Sequence, residues 1–200
     1  MKKEWLTAVV AISAIALLAL FGLPGGDSKK ESTVEKEDSS VPVNASMEEG
    51  GKSLLVTMIN TKGETIGEAR LEQKPDGVEI NLDASKLPQG IHGFHIHENG
   101  SCDIPTFESA GGHFNPTNAK HGFDVPGGPH AGDLPNIQVK AYGNVSTSVL
   151  AEMVTLEKGK DNSLLKEGGT ALIIHSKADD YKSQPAGNAG ERIACGVIAE

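Results

Sequence analysis

Most of the seven histidines in this 200-residue chain fall into two groups whose spacing suits metal binding. The first is the pair His95 and His97 in the stretch GFHIHENG. Side chains two residues apart on a β-strand point the same way, so both rings can share one metal ion. The second is a run with the spacing H-x7-H-x8-H-x2-D, formed by His113, His121, His130 and Asp133. Three imidazoles and one carboxylate make a closed tetrahedral set of the kind that zinc prefers.

The two remaining histidines, His92 and His175, have different predicted positions. His175 ends a predicted strand and can complete the first site with His95 and His97. Ligation by imidazoles alone suits copper, which tops the affinity order of divalent first-row ions. His92 precedes His95 by three residues, so it should point to the opposite face and pack in the interior or support a ligand. Any one of these histidines could be a buried residue with a single hydrogen bond, but their clustering favours a metal site.

The elements that must position these residues are short β-strands. From residue 53 the sequence alternates between apolar and polar residues, with turn signals such as Pro75-Asp76-Gly77. The predicted strands cover residues 53–60, 65–73, 78–85, 91–98, 137–143, 148–157, 170–175 and 192–199. Eight short strands with little helix predict an all-β sandwich or barrel. Residues 98–136 are rich in Gly, Pro, Asn and Asp, and a loop of that length is usually functional or fixed by ligands.

Two segments precede the predicted β domain, which we place at residues 51–200. In residues 1–26, two lysines are followed by an apolar run over residues 5–23. This run is longer than the signal-peptide core of about 7–15 residues and close to the span of about 20 that crosses a membrane. It predicts an export signal that would act as a membrane anchor if retained. Residues 27–50 are rich in Lys, Glu, Asp and Ser and predict a disordered, charged linker.

Charge and cysteine content limit the partners and the compartment. The chain carries a net charge of −9, and residues 51–200 hold 13 basic against 19 acidic side chains, a net charge of −6. Such a balance argues against nucleic acid as a partner. In an exported protein, the even pair Cys102 and Cys195 predicts a disulfide. A Cys/His metal site is the alternative, which the lack of any C-x-x-C pair disfavours.

Six motifs, in order, resemble the copper–zinc superoxide dismutase family in its bacterial, exported form. They are GFHIHENG, SAGGHFNP, KHGFD, PHAGDLPN, IIHSKADD and GNAGERIACGVI. The resemblance covers about residues 53–199. It implies an eight-stranded Greek-key β-barrel or sandwich with long metal-binding loops, holding one copper and one zinc ion per subunit.

The resemblance also implies a role for each site residue. The implied copper ligands are His95, His97, His113 and His175, and the implied zinc ligands are His113, His121, His130 and Asp133. His113 would bridge the two metals and take part in catalysis. Asp179 would link a copper histidine to a zinc histidine from outside the ligand sets. Cys102 and Cys195 would form the disulfide, and Arg192 would guide the anionic substrate to copper.

The implied activity is the dismutation of superoxide to molecular oxygen and hydrogen peroxide outside the cytoplasm, by a monomer or a homodimer. Because superoxide is an anion and the domain is acidic, fast turnover requires a local positive field. Arg192 is one source, and Lys120, Lys177 and Lys182 are the nearest basic residues to the motifs. The segment between His175 and Arg192 is shorter than in the animal enzymes, so steering lysines do not carry over. The alternatives are a copper-binding or storage module with little turnover and a β domain stabilised by zinc alone.

Overall fold

In a computed structural model, residues 52–200 are described, and they form nine β-strands and two short 3₁₀ helices. The strands are β1 (Ser53–Asn60), β2 (Thr65–Lys74), β3 (Gly77–Ala84), β4 (Gly90–His92), β5 (Phe94–His97), β6 (Ile137–Val139), β7 (Val145–Ala151), β8 (Thr170–His175) and β9 (Arg192–Ile198). The 3₁₀ helices are Glu108–Ala110 and Ala141–Gly143. The predicted all-β class is confirmed. The predicted export segment and charged linker lie outside the described residues, and none of the helices within residues 52–200 could span a bilayer.

Seven of these strands form one antiparallel sheet in the order β5-β8-β9-β1-β2-β3-β7, and β4 pairs with β6 in a second, two-stranded sheet. Strands β1, β2 and β3 follow one another as hairpins, and β9 returns over a long connection to lie beside β1. That arrangement, β9-β1-β2-β3, is a Greek key. It brings the C-terminal strand, which carries Arg192 and Cys195, next to the strand that ends in His175.

The hydrophobic core lies on one face of the sheet and leaves the opposite face of β5 free for the histidines. Along β5, Phe94 and Ile96 belong to the main core cluster, while His95 and His97 alternate with them. All four are buried. The loop of residues 98–136 covers the histidine face, so the site is enclosed by loop on one side and sheet on the other.

The predicted strand at residues 91–98 is wrong in one respect, because Gly93 divides it between the two sheets. His92 pairs with β6, whereas Phe94 pairs with β8. A Cβ on Gly93 would lie 3.0 Å from the Cβ of Ala189 and 3.2 Å from Cε1 of His95. A side chain here would force these neighbours to move by a few tenths of an ångström, which favours glycine where the chain changes sheets.

Candidate metal centre

The loop of residues 98–136, which we call the long loop, folds back along β5 so that the two histidine groups meet. The Ile96 N–H donates to Gly132 O at 2.8 Å, and the Phe114 N–H donates to Ile96 O at 2.8 Å. A Cβ on Gly132 would overlap the Ile96 carbonyl oxygen, so glycine is required for this approach. The residue pairs placed opposite each other are His95 with Asp133 and His97 with His113.

A β-bulge at the end of β8 aims His175 at the same place. The pairing between β8 and β9 shifts between Ile174 and His175, and His175 then lies opposite Arg192. Bulges commonly redirect a side chain next to an active site. The His175 N–H donates to Gly93 O at 2.8 Å, which fixes the end of β8 against the start of β5.

Four buried histidines form the first group, each offering one ligand nitrogen within 4.8 Å of the others. They are His95, His97, His113 and His175. In His97 and His175 the Nδ1 atom faces a carbonyl oxygen, at 2.9 Å from Gly111 O and 3.2 Å from Gly190 O. Their Nε2 atoms face each other at 3.4 Å inside the group. A ring that donates from one nitrogen keeps the lone pair of the other for a metal ion, so these carbonyls fix the ligating tautomer.

The second group is built around one carboxylate oxygen and has the composition expected for zinc. Oδ1 of Asp133 lies 2.7 Å from Nδ1 of His113 and 3.0 Å from Nδ1 of His121. Nδ1 of His130 is 3.3 Å from the same oxygen. The second oxygen, Oδ2, accepts the N–H groups of Gly122 and His130 at 2.9 and 3.0 Å. The backbone therefore orients the carboxylate, and the three imidazoles converge on its free oxygen.

Three buried ring nitrogens have no hydrogen-bond partner among the described residues, and all three belong to the two groups. They are Nδ1 of His95, Nε2 of His113 and Nδ1 of His130. A buried polar atom left without a partner costs about 1–3 kcal/mol. Their convergence indicates a ligand at these positions. Four imidazole nitrogens suit copper, and three imidazoles with one carboxylate suit zinc, so the residues fit both metals.

Burial keeps three rings of the first group neutral, those of His97, His113 and His175. It lowers the pKa of His113 to about 4, although the hydrogen bond to Asp133 acts in the opposite direction. Burial and the neighbouring His95 lower the pKa of His175 to about 3. The pKa of His97 is likewise lowered well below 6.5, first by burial. A protonated imidazolium cannot ligate a metal, so these uncharged rings are ready to do so at neutral pH.

The acidic partners of His121 have the opposite effect. Burial lowers the pKa of His121, but its bonds to Asp133 and Asp179 outweigh burial and raise the pKa to about 9. Burial alone would raise the pKa values of Asp133 and Asp179. The hydrogen bonds that the histidines donate to them outweigh burial, so both pKa values lie below the ordinary range of an aspartic acid. Both acids are therefore carboxylates at neutral pH.

Asp179 lies between the two groups and contacts one histidine of each. Its Oδ2 is 2.8 Å from Nε2 of His95, and its Oδ1 is 3.0 Å from Nε2 of His121. The carboxylate is fully buried and also accepts the Tyr181 N–H at 2.7 Å. Ligating imidazoles usually donate their second N–H to such an acceptor, which fixes the orientation of the ring.

Arg192 is half-buried beside the first group and is held by the long loop. Its guanidinium donates to Phe107 O at 2.7 Å and to Gly111 O at 2.6 Å. Burial lowers its pKa from 12.5, and the charge of Glu108 opposes that change. Arg192 lines a cavity of about 520 Å³ together with the exposed carboxylates of Glu108 and Glu191. The cavity lining therefore combines one half-buried cation with two exposed acids.

The predicted disulfide between Cys102 and Cys195 is present, with Cα atoms 5.8 Å apart. It joins the long loop to β9. Near it, Phe107 and Ala110 pack against Ile173 in a second, smaller core cluster. Because Phe107 also offers its carbonyl to Arg192, the disulfide fixes the part of the loop that holds the arginine.

The three lysines near the motifs differ in their availability. Lys182 lies 3.6 Å from Asp124 in an exposed ion pair, so its charge is partly balanced. The stem of Lys177 lies beside Gly190, which lines the cavity of Arg192. Lys120 is exposed next to His121 in the sequence. Of the three, Lys177 has the position that best fits a contribution to the field at the cavity.

Sequence reasoning missed two amide residues, Asn136 and Gln184, which bind the backbone of Asp179 and His121. Asn136 ends the motif PHAGDLPN, whose histidine and aspartate carry the metal-ligand spacing, and Gln184 lies outside the six motifs. No sequence signal separates either side chain from an ordinary loop amide. His92 is buried, and its Nδ1 lies 2.8 Å from the carbonyl oxygen of His175. This contact agrees with the second role expected for His92, the support of a ligand.

Comparisons with known proteins agree with this geometry. Residues 65–198 match the family described as copper/zinc superoxide dismutase (SODC). A copper–zinc superoxide dismutase of Aquifex aeolicus (strain VF5) is 61% identical over 142 residues, 70% of this chain and 84% of that protein. The superoxide dismutase-like protein YojM of Bacillus subtilis (strain 168) is 41% identical over 186 residues, 92% of this chain and 93% of that protein. The crystal structure of a SOD-like protein from Bacillus subtilis has a TM-score of 0.70 at 46% identity, covering 72% of this chain and 97% of that chain. The Cu/Zn superoxide dismutase from Brucella abortus has a TM-score of 0.61 at 34% identity, covering 74% and 99%. The chain belongs to the copper/zinc superoxide dismutase family.

Proposed function

We propose that this protein dismutates superoxide to molecular oxygen and hydrogen peroxide at a histidine-bound copper ion, with zinc in the neighbouring group. The observation that carries the proposal is His113, whose two ring nitrogens face different groups. Its Nδ1 lies 2.7 Å from Asp133, whereas its buried Nε2 has no hydrogen-bond partner within residues 52–200. A relative with 61% identity is named as a copper–zinc superoxide dismutase, which supports the same activity here.

The proposed assignment gives each chain one copper and one zinc ion. The proposed copper ligands are His95, His97, His113 and His175, and the proposed zinc ligands are His113, His121, His130 and Asp133. In this assignment His113 bridges the two ions. Asp179 connects the two ligand sets through His95 and His121.

When bound, copper supplies the alternate reduction and oxidation that two successive superoxide anions require. In total, two superoxide anions and two protons give one oxygen and one hydrogen peroxide molecule. Arg192 attracts and orients the anion, because its guanidinium is fixed by two carbonyls and need not reorganise. His113 holds and delivers a proton at Nε2, the ring nitrogen that does not face Asp133. Asp133 holds the opposite edge of the His113 ring through its contact with Nδ1.

The field that attracts superoxide must be local. Residues 51–200 carry a net charge of −6, and the cavity beside Arg192 is flanked by Glu108 and Glu191. At physiological salt, charges beyond about 8 Å are largely screened. The half-buried guanidinium of Arg192 therefore dominates at short range, and we assign a supporting contribution to Lys177.

The proposed place of action is outside the cytoplasm, in antioxidant defence. Disulfides persist in oxidising compartments, and the Cys102–Cys195 bond belongs to such a compartment. The named relatives are bacterial, which fits export to the cell envelope. Anchoring through residues 1–26 and a monomeric or homodimeric state remain predictions that fractionation of cells and light scattering test.

The test is to measure metal content by mass spectrometry and superoxide decay on the same samples of the full chain and of His113→Ala. We expect one copper and one zinc per chain and fast decay for the native protein, with loss of both zinc and activity in the variant. Tight copper binding with decay no faster than in buffer would instead establish the copper-holding module. Activity that survives in His97→Ala would favour a domain stabilised by zinc alone.

A further inference from the structure

Two loops of the metal centre hold each other through side-chain amides. The second loop, residues 176–191, carries Gln184, whose amide spans the backbone of His121 in the long loop. Its Oε1 accepts the His121 N–H at 2.9 Å, and its Nε2 donates to the His121 carbonyl at 2.8 Å. Both backbone groups of the proposed zinc ligand are therefore bound by one side chain from the opposite loop.

The reciprocal contact runs from the long loop to the second loop. Oδ1 of Asn136 accepts the Asp179 N–H at 2.8 Å, and Nδ2 of Asn136 donates to the Asp179 carbonyl at 2.9 Å. Again one amide binds both backbone groups of a residue in the other loop. We call these two contacts the amide clamps.

The clamps hold the two residues that join the metal groups. His121 and Asp179 are themselves hydrogen-bonded, with Nε2 and Oδ1 3.0 Å apart. Tyr181 extends the network, since its hydroxyl accepts the Asn136 N–H at 2.7 Å and its own N–H donates to Asp179 at 2.7 Å. At Gly122 the loops are in backbone contact, because a Cβ there would overlap the Tyr181 carbonyl. None of these bonds requires a metal ion.

We propose that Asn136 and Gln184 are positioning residues that assemble the metal centre before any metal binds. With the loops already ordered, metal binding does not have to supply the free energy of ordering them, which raises affinity. Gln184 is exposed, so water competes for its bonds, whereas Asn136 is half-buried. We therefore expect the larger effect at Asn136. This inference rests on the proposed function only in taking His121 as a zinc ligand.

The experiment compares Asn136→Ala and Gln184→Ala with the native full chain, all stripped of metal. Gln138→Ala is the matched control, because Gln138 is an exposed amide on β6 that also donates to backbone carbonyls but lies outside both loops. The first measurement is hydrogen exchange of the backbone amides of His121 and Asp179 in the metal-free proteins. The second is zinc affinity, by competition with a chelator.

We expect exchange of the clamped amide to accelerate at least tenfold in each loop variant. Zinc should bind about 10–100-fold more weakly, the usual effect of removing a partner of a ligand. The control should stay within about twofold of the native protein on both measures. If Asn136→Ala does not fold, Gln184→Ala carries the test, since its side chain is exposed. Native-like exchange and zinc affinity in the loop variants would overturn the proposal. Neither readout uses superoxide, so a chain without dismutase activity would still give a clear result.

Discussion

The disulfide gives a prediction whose magnitude can be worked out. Cys102 and Cys195 are 93 residues apart in the sequence. In the chain-entropy description, a cross-link that closes a loop of this length destabilises the unfolded chain by about 4–5 kcal/mol. For a protein of 150–250 residues, each kcal/mol shifts the unfolding midpoint by about 2–4 °C. Replacing both cysteines by serine should therefore lower the midpoint by about 10–15 °C.

The same change should also reach the metal centre. The disulfide ties β9 to the part of the long loop where Phe107 packs and offers its carbonyl to Arg192. The same loop carries His113, His121 and His130, so we expect its loosening to weaken metal retention as well as to lower stability. Thermal unfolding of the metal-free protein, followed by circular dichroism, measures the loss of stability alone. Dialysis of the metal-loaded protein against a chelator measures metal retention.

The matched control is the native chain with its disulfide reduced, which has the same side chains apart from the bond. It should unfold close to the midpoint of the double serine variant. A midpoint that changes by less than about 3 °C on reduction would contradict this prediction. Such a change corresponds to a contribution of under about 1.5 kcal/mol from the disulfide to the free energy of unfolding, about a third of the expected value.

Three further predictions concern charge and protonation. Arg192→Ala should slow superoxide decay and weaken its dependence on salt without changing metal content, whereas Arg192→Lys should retain the salt dependence; kinetics at several ionic strengths check this. Asp179→Asn offers one acceptor oxygen in place of two, so one ring N–H loses its partner, and chelator competition should show metal affinity reduced about 10–100-fold. In the metal-free folded protein, the pKa values of His113 and His175 are lowered to about 4 and about 3. Below pH 6.5 the unfolded chain therefore binds more protons than the folded chain, so the free energy of unfolding should fall as the pH drops from 6.5 towards 4. His121, with its pKa raised to about 9, contributes stability that is complete below pH 6.5 and is lost as the pH rises through 9. The thermal unfolding midpoint of the metal-free protein should therefore peak near pH 6.5. A midpoint that rises steadily as the pH falls would contradict these pKa assignments.

Local patterns in the sequence predict much of this fold. The alternation over residues 53–60 predicts β1, and the short apolar run over residues 170–175 predicts β8, both at their observed bounds. The spacing of His95 and His97 predicts two rings on one face, and the structure places both there. These features depend only on the period of a strand, which is a local property of the chain.

Long-range features could not be read in the same way. The change of sheet at Gly93 depends on Ala189, far along the chain, which approaches the glycine. The bulge before His175 depends on its pairing with β9. The amide clamps depend on two loops whose approach no residue pattern encodes. The choice of copper for the first group also did not follow from spacing alone, and it came from the resemblance of six motifs to one family.

The main proposal is that His113 bridges a copper and a zinc ion and that this metal centre dismutates superoxide. The most direct test is to follow superoxide decay by stopped flow with the full chain, in a sample whose copper and zinc content has been measured. We expect about one ion of each metal per chain and decay that is proportional to protein concentration and far faster than in buffer. Full metal loading with decay equal to that in buffer would contradict it.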